Sequence, residues 1–179
     1  MPFAGLLLKP SGSSGLVVNV TPRKIECEPS QVERVMFPLL RGRVFHVTTE
    51  ENLSEIRRSG WIYSHRQARL AFSPAQPETG YGCKRGWVSL YDLRDPSDGE
   101  VKEALIRYWL LRKIGNDSAH IYLIVDESVW SSLVPWKRAS RDVGGKEFFI
   151  PFIETWYPGD IPLQFIADSI ALTIHPSPR

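Results

Sequence analysis

The stretch Arg43-Val44-Phe45-His46-Val47-Thr48-Thr49-Glu50-Glu51-Asn52-Leu53, continuing to Ser59-Gly60, carries a strand, a helix start and a helix stop in one short run. The β-branched and aromatic residues of Arg43 to Val47 read as a strand. Thr48-Thr49-Glu50-Glu51 matches a capping box, in which a Thr hydroxyl and a Glu carboxylate satisfy free backbone donors at a helix start. Leu53 and Ile56 give that helix an apolar face. Arg57 and Arg58 suit its negative C-terminal end, and Gly60 suits the left-handed cap.

Downstream, Trp61 to Tyr63 is short and apolar, and Ser64 to Gly86 is rich in Pro and Gly with little periodicity. A loop longer than about 15 residues in a compact domain tends to be functional or disordered. Trp87 to Tyr91 reads as a strand, and Ser97-Asp98-Gly99-Glu100 is a second capping box. Val101, Leu105, Tyr108, Trp109 and Arg112 then fall at helical spacing up to Gly115. His120 to Val125 has the apolar run of a central buried strand. Ser128 to Leu133 reads as a short helix, and Pro135 to Gly145 as polar and exposed. Phe148 to Trp156 is a strand interrupted by Pro151, which fits an edge or a bulge. Ile161 to Phe165 and Ile170 to Ile174 complete the set. Upstream, residues 1–40 read as an N-terminal extension packing on the domain, with a Gly/Ser linker at Ser11 to Gly15, a strand at Leu16 to Val20 and a Pro-bounded stretch to Leu40. Two helices with about five or six strands predict a single α+β sheet domain over residues 41–179.

Composition narrows the function. The net charge of +2 arises from 22 basic and 20 acidic residues spread along the chain, so no cationic run is present to coat a phosphate backbone. Cys27 and Cys83 are far apart and have no CxxC or Cys/His spacing, so neither a disulfide framework nor a metal site is expected. Phe3 to Leu8 is too short for a signal-peptide core, and no segment approaches the roughly 20 apolar residues of a membrane span. A cytoplasmic protein without membrane contact is expected. There is no Gly-x-Ser-x-Gly turn for a serine hydrolase and no Gly-rich phosphate loop for ATP or GTP.

Phe45-His46-Val47-Thr48-Thr49, then Asn52-Leu53, Ile56 and Ser59-Gly60-Trp61-Ile62, resembles the opening of ADP-ribosyltransferase-fold proteins, including the poly-ADP-ribose-polymerase-like and DarT-like groups. In those proteins a strand bearing a His or Arg runs into an Asn-Leu-x-x-Ile helix that closes on a Gly. About 40 residues later they place a glycine and a second strand. Here Gly80-Tyr81-Gly82 and Gly86-Trp87-Val88-Ser89-Leu90-Tyr91-Asp92 stand at that distance. Glu154-Thr155-Trp156-Tyr157-Pro158-Gly159-Asp160-Ile161-Pro162-Leu163 resembles the DarT-like ending, a Glu-led strand followed by an Ile-Pro or Val-Pro pair. The resemblance covers residues 43–92 and 145–166.

It implies an ADP-ribosyltransferase-like split mixed sheet with short flanking helices, and NAD as co-substrate. His46, with Thr48 beside it, takes the position that holds the adenosine ribose. Ser89 and Tyr91 are nearest to the nicotinamide-lining position. Glu154 matches the carboxylate that holds the nicotinamide ribose 2′-hydroxyl, with Glu147 as competitor. A fixed negative charge in a dry cleft stabilises an oxocarbenium-like transition state more than the ground state. Arg66 and Arg69 lie on the long loop, where a guanidinium matches a diphosphate through paired hydrogen bonds.

The same residues have plainer readings. His46 fits a half-buried strand histidine, Glu154 a solvent-facing residue on an alternating strand, and Arg66 and Arg69 solvated surface. Trp87 and Tyr91 fit core positions without any ligand. The leading expectation is an NAD-dependent ADP-ribosyltransferase or NAD glycohydrolase acting on a protein or nucleic-acid acceptor, in the manner of a toxin. A non-catalytic partner-binding module of antitoxin or immunity type is the alternative, with Trp130, Trp136 and Trp156 suiting an interface if several of them are exposed. RNA 2′-phosphotransferase-like chemistry is a third.

Overall fold

In the computed structural model, the described residues are 20–64, 80–108, 120–143 and 147–175, with 105–108 and 143 described by their backbone. The elements in chain order are β1 (Arg23–Cys27), α1 (Val32–Leu40), β2 (Val44–Thr49), α2 (Glu50–Ser59), β3 (Trp61–Ile62), α3 (Tyr81–Arg85), β4 (Val88–Asp92), α4 (Asp98–Tyr108), β5 (His120–Val125), β6 (Val134–Pro135), α5 (Trp136–Val143), β7 (Glu154–Tyr157), β8 (Ile161–Pro162) and β9 (Ile166–Ile174). Among the described residues, seven strands form one mixed sheet in the order β1-β9-β5-β2-β4-β7-β6. β1 runs parallel to β9 and every other neighbour pair is antiparallel. β3 and β8 make a separate antiparallel ribbon. The fold is α+β.

Alternation along the strands builds a core on each face. On one face Phe45, Tyr91, Tyr122, Ile124, Ile170 and Leu172 meet Met36 and Leu40 of α1 and Val101 and Ala104 of α4. On the other, Val44, Leu90, Ile121 and Leu123 meet Leu53 and Ile56 of α2 and Ile62 and Ile161 of the ribbon. A third cluster sits at the β7 end, where Trp156 packs with Tyr81 of α3, Val134 of β6 and Ala139 of α5.

The helix that decides the reading starts one residue later than the capping box implied. Thr49 is the N-cap, its hydroxyl accepting from the Asn52 N–H, while Thr48 lies within β2. Thr48 stays in the strand because it pairs with Ile121 of β5, and strand pairing outweighs its capping tendency. Gly60 does take the left-handed cap, with φ 78°. The second capping box forms as expected, with Ser97 and Glu100 each binding the other's backbone N–H.

Among the described residues the first strand is Arg23–Cys27; the strand expected at Leu16 to Val20 lies outside the described residues except for Val20. α1, unmarked in the sequence reading, buries Val32, Met36 and Leu40. The span 135–145, expected to be polar and exposed, is mostly exposed among its described residues, and it forms the helix α5, whose Ala139 is fully buried. No helix among the described residues is long and apolar enough to cross a membrane.

Candidate active site

β2 and β4 pair through Val44↔Asp92 and Phe45↔Tyr91, and among the described residues their ladder ends there. β2 continues along β5 as far as Thr49↔His120, and β4 continues along β7 as far as Val88↔Tyr157. The two halves of the sheet therefore part beyond Phe45 and Tyr91. His46 is the next residue on β2. Its imidazole spans the opening, with Nδ1 donating to the Ser89 carbonyl at 3.0 Å.

Ser89 faces two ways. Its carbonyl holds His46, and its hydroxyl donates to the Glu154 carboxylate. Glu154 opens β7 opposite Tyr91, two positions from Trp156, which pairs with Ser89. The hydroxyl and carboxylate are thus diagonal neighbours on one sheet face. The other carboxylate oxygen accepts from the Ile150 N–H at 2.6 Å. His46 and Glu154 are joined through Ser89, not to each other. The register puts Phe45, Tyr91 and Glu154 on one face and turns His46 and Thr48 to the other.

Enclosure dominates the electrostatics. Burial raises the Glu154 carboxyl to about 7, against smaller lowering effects from Ser89, the Ile150 N–H and the Trp156 indole, which falls short of hydrogen-bond geometry. The group is therefore divided between acid and anion near neutrality, a state common where a carboxylate is tuned for chemistry. Burial also lowers His46, partly offset by its bond to the Ser89 carbonyl. A neutral imidazole that donates from Nδ1 has an unprotonated Nε2 free to accept. His46 is accordingly expected to be the neutral Nδ1–H tautomer at pH 7, observable in long-range ¹⁵N correlation spectra. A charged ring at that pH would contradict this. Because the unfolded chain takes up the proton first, His46 lowers stability as pH falls through 6.5.

Thr48 is buried, paired with Ile121, on the His46 face. Tyr91, 6% exposed, is a core residue packed against Phe45 with ring centroids 5.6 Å apart, and it underlies Glu154 instead of offering a stacking surface. Glu147 is held by Arg85 at 2.6 Å and Lys84 at 3.4 Å. Burial pushes its carboxyl up, but those two cations outweigh burial and hold it below the ordinary range. Such an ion-paired anion braces α3 and has no link to Ser89 among the described contacts. Arg66 and Arg69 lie outside the described residues.

Two contributors escaped the sequence reading. Ile150 supplies a backbone donor, which no side-chain pattern announces, although Pro151 beside it marked an irregular strand. Gly82 packs directly against the indole of Trp156, and the Gly80-Tyr81-Gly82 run was the available signal. No group of three or more His, Cys, Asp or Glu side chains among the described residues is arranged to hold a metal. No protein-family model matches the chain, and neither curated proteins nor solved structures yield a match to it.

Proposed function

We propose that the chain is an NAD-consuming ADP-ribosyltransferase built on an ADP-ribosyltransferase-like split sheet, with NAD glycohydrolysis as the same reaction when water is the acceptor. The observation that carries this reading is the sharing of Ser89 between His46 and Glu154 across three neighbouring strands, at the point where the β2–β4 ladder ends. His46 Nε2 accepts a hydroxyl of the adenosine ribose on one side of the opening. Glu154, oriented by Ser89 and Ile150, accepts the 2′-hydroxyl of the nicotinamide ribose on the other. An extended dinucleotide threading the opening reaches both.

As the glycosidic bond to nicotinamide lengthens, positive charge develops on the ribose. The Glu154 anion, already held by two donors, stabilises that charge without reorganising. A nucleophile of a protein or nucleic-acid acceptor then takes the anomeric carbon. Glu154 is preferred to Glu147 because two cations already neutralise Glu147.

Calorimetry with NAD on the parent chain and on His46→Ala tests this, with nicotinamide release followed in the same samples. The parent is expected to bind, and His46→Ala to bind about tenfold or more weakly, as loss of a desolvated hydrogen bond predicts. A folded parent chain that neither binds NAD nor releases nicotinamide would overturn the proposal.

A further inference from the structure

Glu154 is preceded by the most unusual backbone among the described residues. Phe152 has φ 69°, the one described non-glycine residue with positive φ. The Ile153 N–H donates to the Pro151 carbonyl at 2.9 Å, closing a γ-turn centred on Phe152. Around it, the Glu154 N–H donates to the Ile150 carbonyl at 3.1 Å while the Ile150 N–H donates to the Glu154 carboxylate at 2.6 Å. Ile150 and Glu154 thus grip each other at both ends of the turn. The Asp92 N–H donates to the Ile153 carbonyl at 2.7 Å and ties the turn to β4.

The residue types explain where the unusual conformation falls. Ile150 and Ile153 are 4% and 1% exposed, so both anchor the turn in the core and leave Pro151 and Phe152 to close it. Proline is locked near φ −65° and cannot go left-handed, so Phe152 must. Glycine would adopt this conformation without steric cost, and a phenylalanine there needs a compensating contact. The contact is on α5: the Phe152 ring meets Trp136 edge-on, with centroids 5.0 Å apart. An observed backbone outlier next to a candidate reacting group is where strain tends to be used for positioning.

We propose that Phe152 is a positioning residue, whose left-handed backbone, pinned by its ring on Trp136, delivers the Ile150 N–H to the Glu154 carboxylate. Phe152 itself touches no substrate in this scheme. The inference rests on the assignment of Glu154 as the working carboxylate, yet its physical core, the grip of Ile150 on Glu154, is observable without any reaction.

The test is NMR on Phe152→Gly, Phe152→Tyr and Trp136→Leu. It follows the Ile150 amide proton and the Glu154 side-chain carboxyl through a pH titration, with nicotinamide release measured alongside. In Phe152→Gly and in Trp136→Leu the Ile150 amide should move upfield and exchange faster. The Glu154 midpoint should rise above its parent value, because a donor to the anion has been lost. Nicotinamide release should drop about tenfold or more in kcat with little change in KM. Phe152→Tyr keeps the ring and should behave as the parent. An unmoved Ile150 amide and Glu154 midpoint in both Phe152→Gly and Trp136→Leu would overturn the positioning role, even if the parent turns over NAD. Movement of both signals in a protein that ignores NAD would sustain the positioning role and sink the NAD reading instead.

Discussion

Glu154→Gln is expected to lose nicotinamide release by about 10²–10³-fold while melting higher than the parent at pH 8. The two effects share one cause. In the fold the Glu154 carboxyl is raised from 4.5 to about 7 by burial, so it holds its proton more tightly folded than unfolded. The sign of the linkage follows: its contribution to stability is complete below the unfolded value and is lost as pH rises through about 7. At pH 8 the parent carries a buried anion that the amide lacks. A tenfold change in proton affinity is worth about 1.4 kcal/mol, so the variant should gain on the order of 3 kcal/mol at pH 8. For a domain of this size that raises Tm by roughly 5–10 °C. The amide can keep both contacts, accepting from the Ile150 N–H and donating to the Ser89 hydroxyl. Calorimetric melts at pH 5 and pH 8 provide the check, with the gain confined to the higher pH. A Gln variant that melts below the parent at pH 8 would refute this account of the carboxylate.

Gly82→Ala should produce the largest loss of stability from the smallest chemical change. On helix propensity alone, alanine in α3 should gain about 1 kcal/mol over glycine. Packing reverses the sign. A methyl group built on Gly82 would lie 2.2 Å from Cδ1 and 2.6 Å from Nε1 of Trp156. The indole cannot retreat, because Trp156 is wholly buried and pressed by Tyr81 and Phe149, with centroids at 4.7 and 6.5 Å. Forced overpacking of a rigid, enclosed ring costs about 3 kcal/mol or more, which corresponds to a Tm fall of roughly 6–12 °C. Urea titration would measure it, and a shift below about 1 kcal/mol would show that α3 can slide away from β7 at little cost. Since Trp156 lies two residues after Glu154 on the same face, the variant should also disturb the Glu154 environment.

The sequence made some of this visible and hid the rest for identifiable reasons. Gly60 and the Ser97–Glu100 pair announced helix ends because capping is local, needing only a few adjacent residues. β5 was legible because six consecutive buried positions in a central strand leave little else for His120 to Val125 to be. α5 was missed because Trp136 to Val143 shows one polar face so strongly that Ala139, the residue it buries, is easily overlooked. His46, Ser89 and Glu154 could be named from an ordered resemblance, but their coupling depends on register across strands far apart in sequence. No local pattern encodes that register. Tyr91 alternates with Ser89 and so shares its face, yet only the packing against Phe45 distinguishes a core ring from an exposed one. The Phe152 turn was beyond reach, because a phenylalanine gives no sign of left-handed backbone.

The placement of β9 between β1 and β5 has a kinetic consequence. It is the last strand of the described chain to be synthesised, and it fills an interior slot between the first strand and a strand from the middle. Until it emerges, β1 has no partner among the described strands, and one edge of β5 lacks its described neighbour. Before then, β5, β2, β4, β7 and β6 can pair as a partial sheet, and the described sheet is completed only when β9 enters between β1 and β5. Long-range closure of this kind also slows refolding, since the entropy of joining distant segments is lost before the contacts that reward it are made.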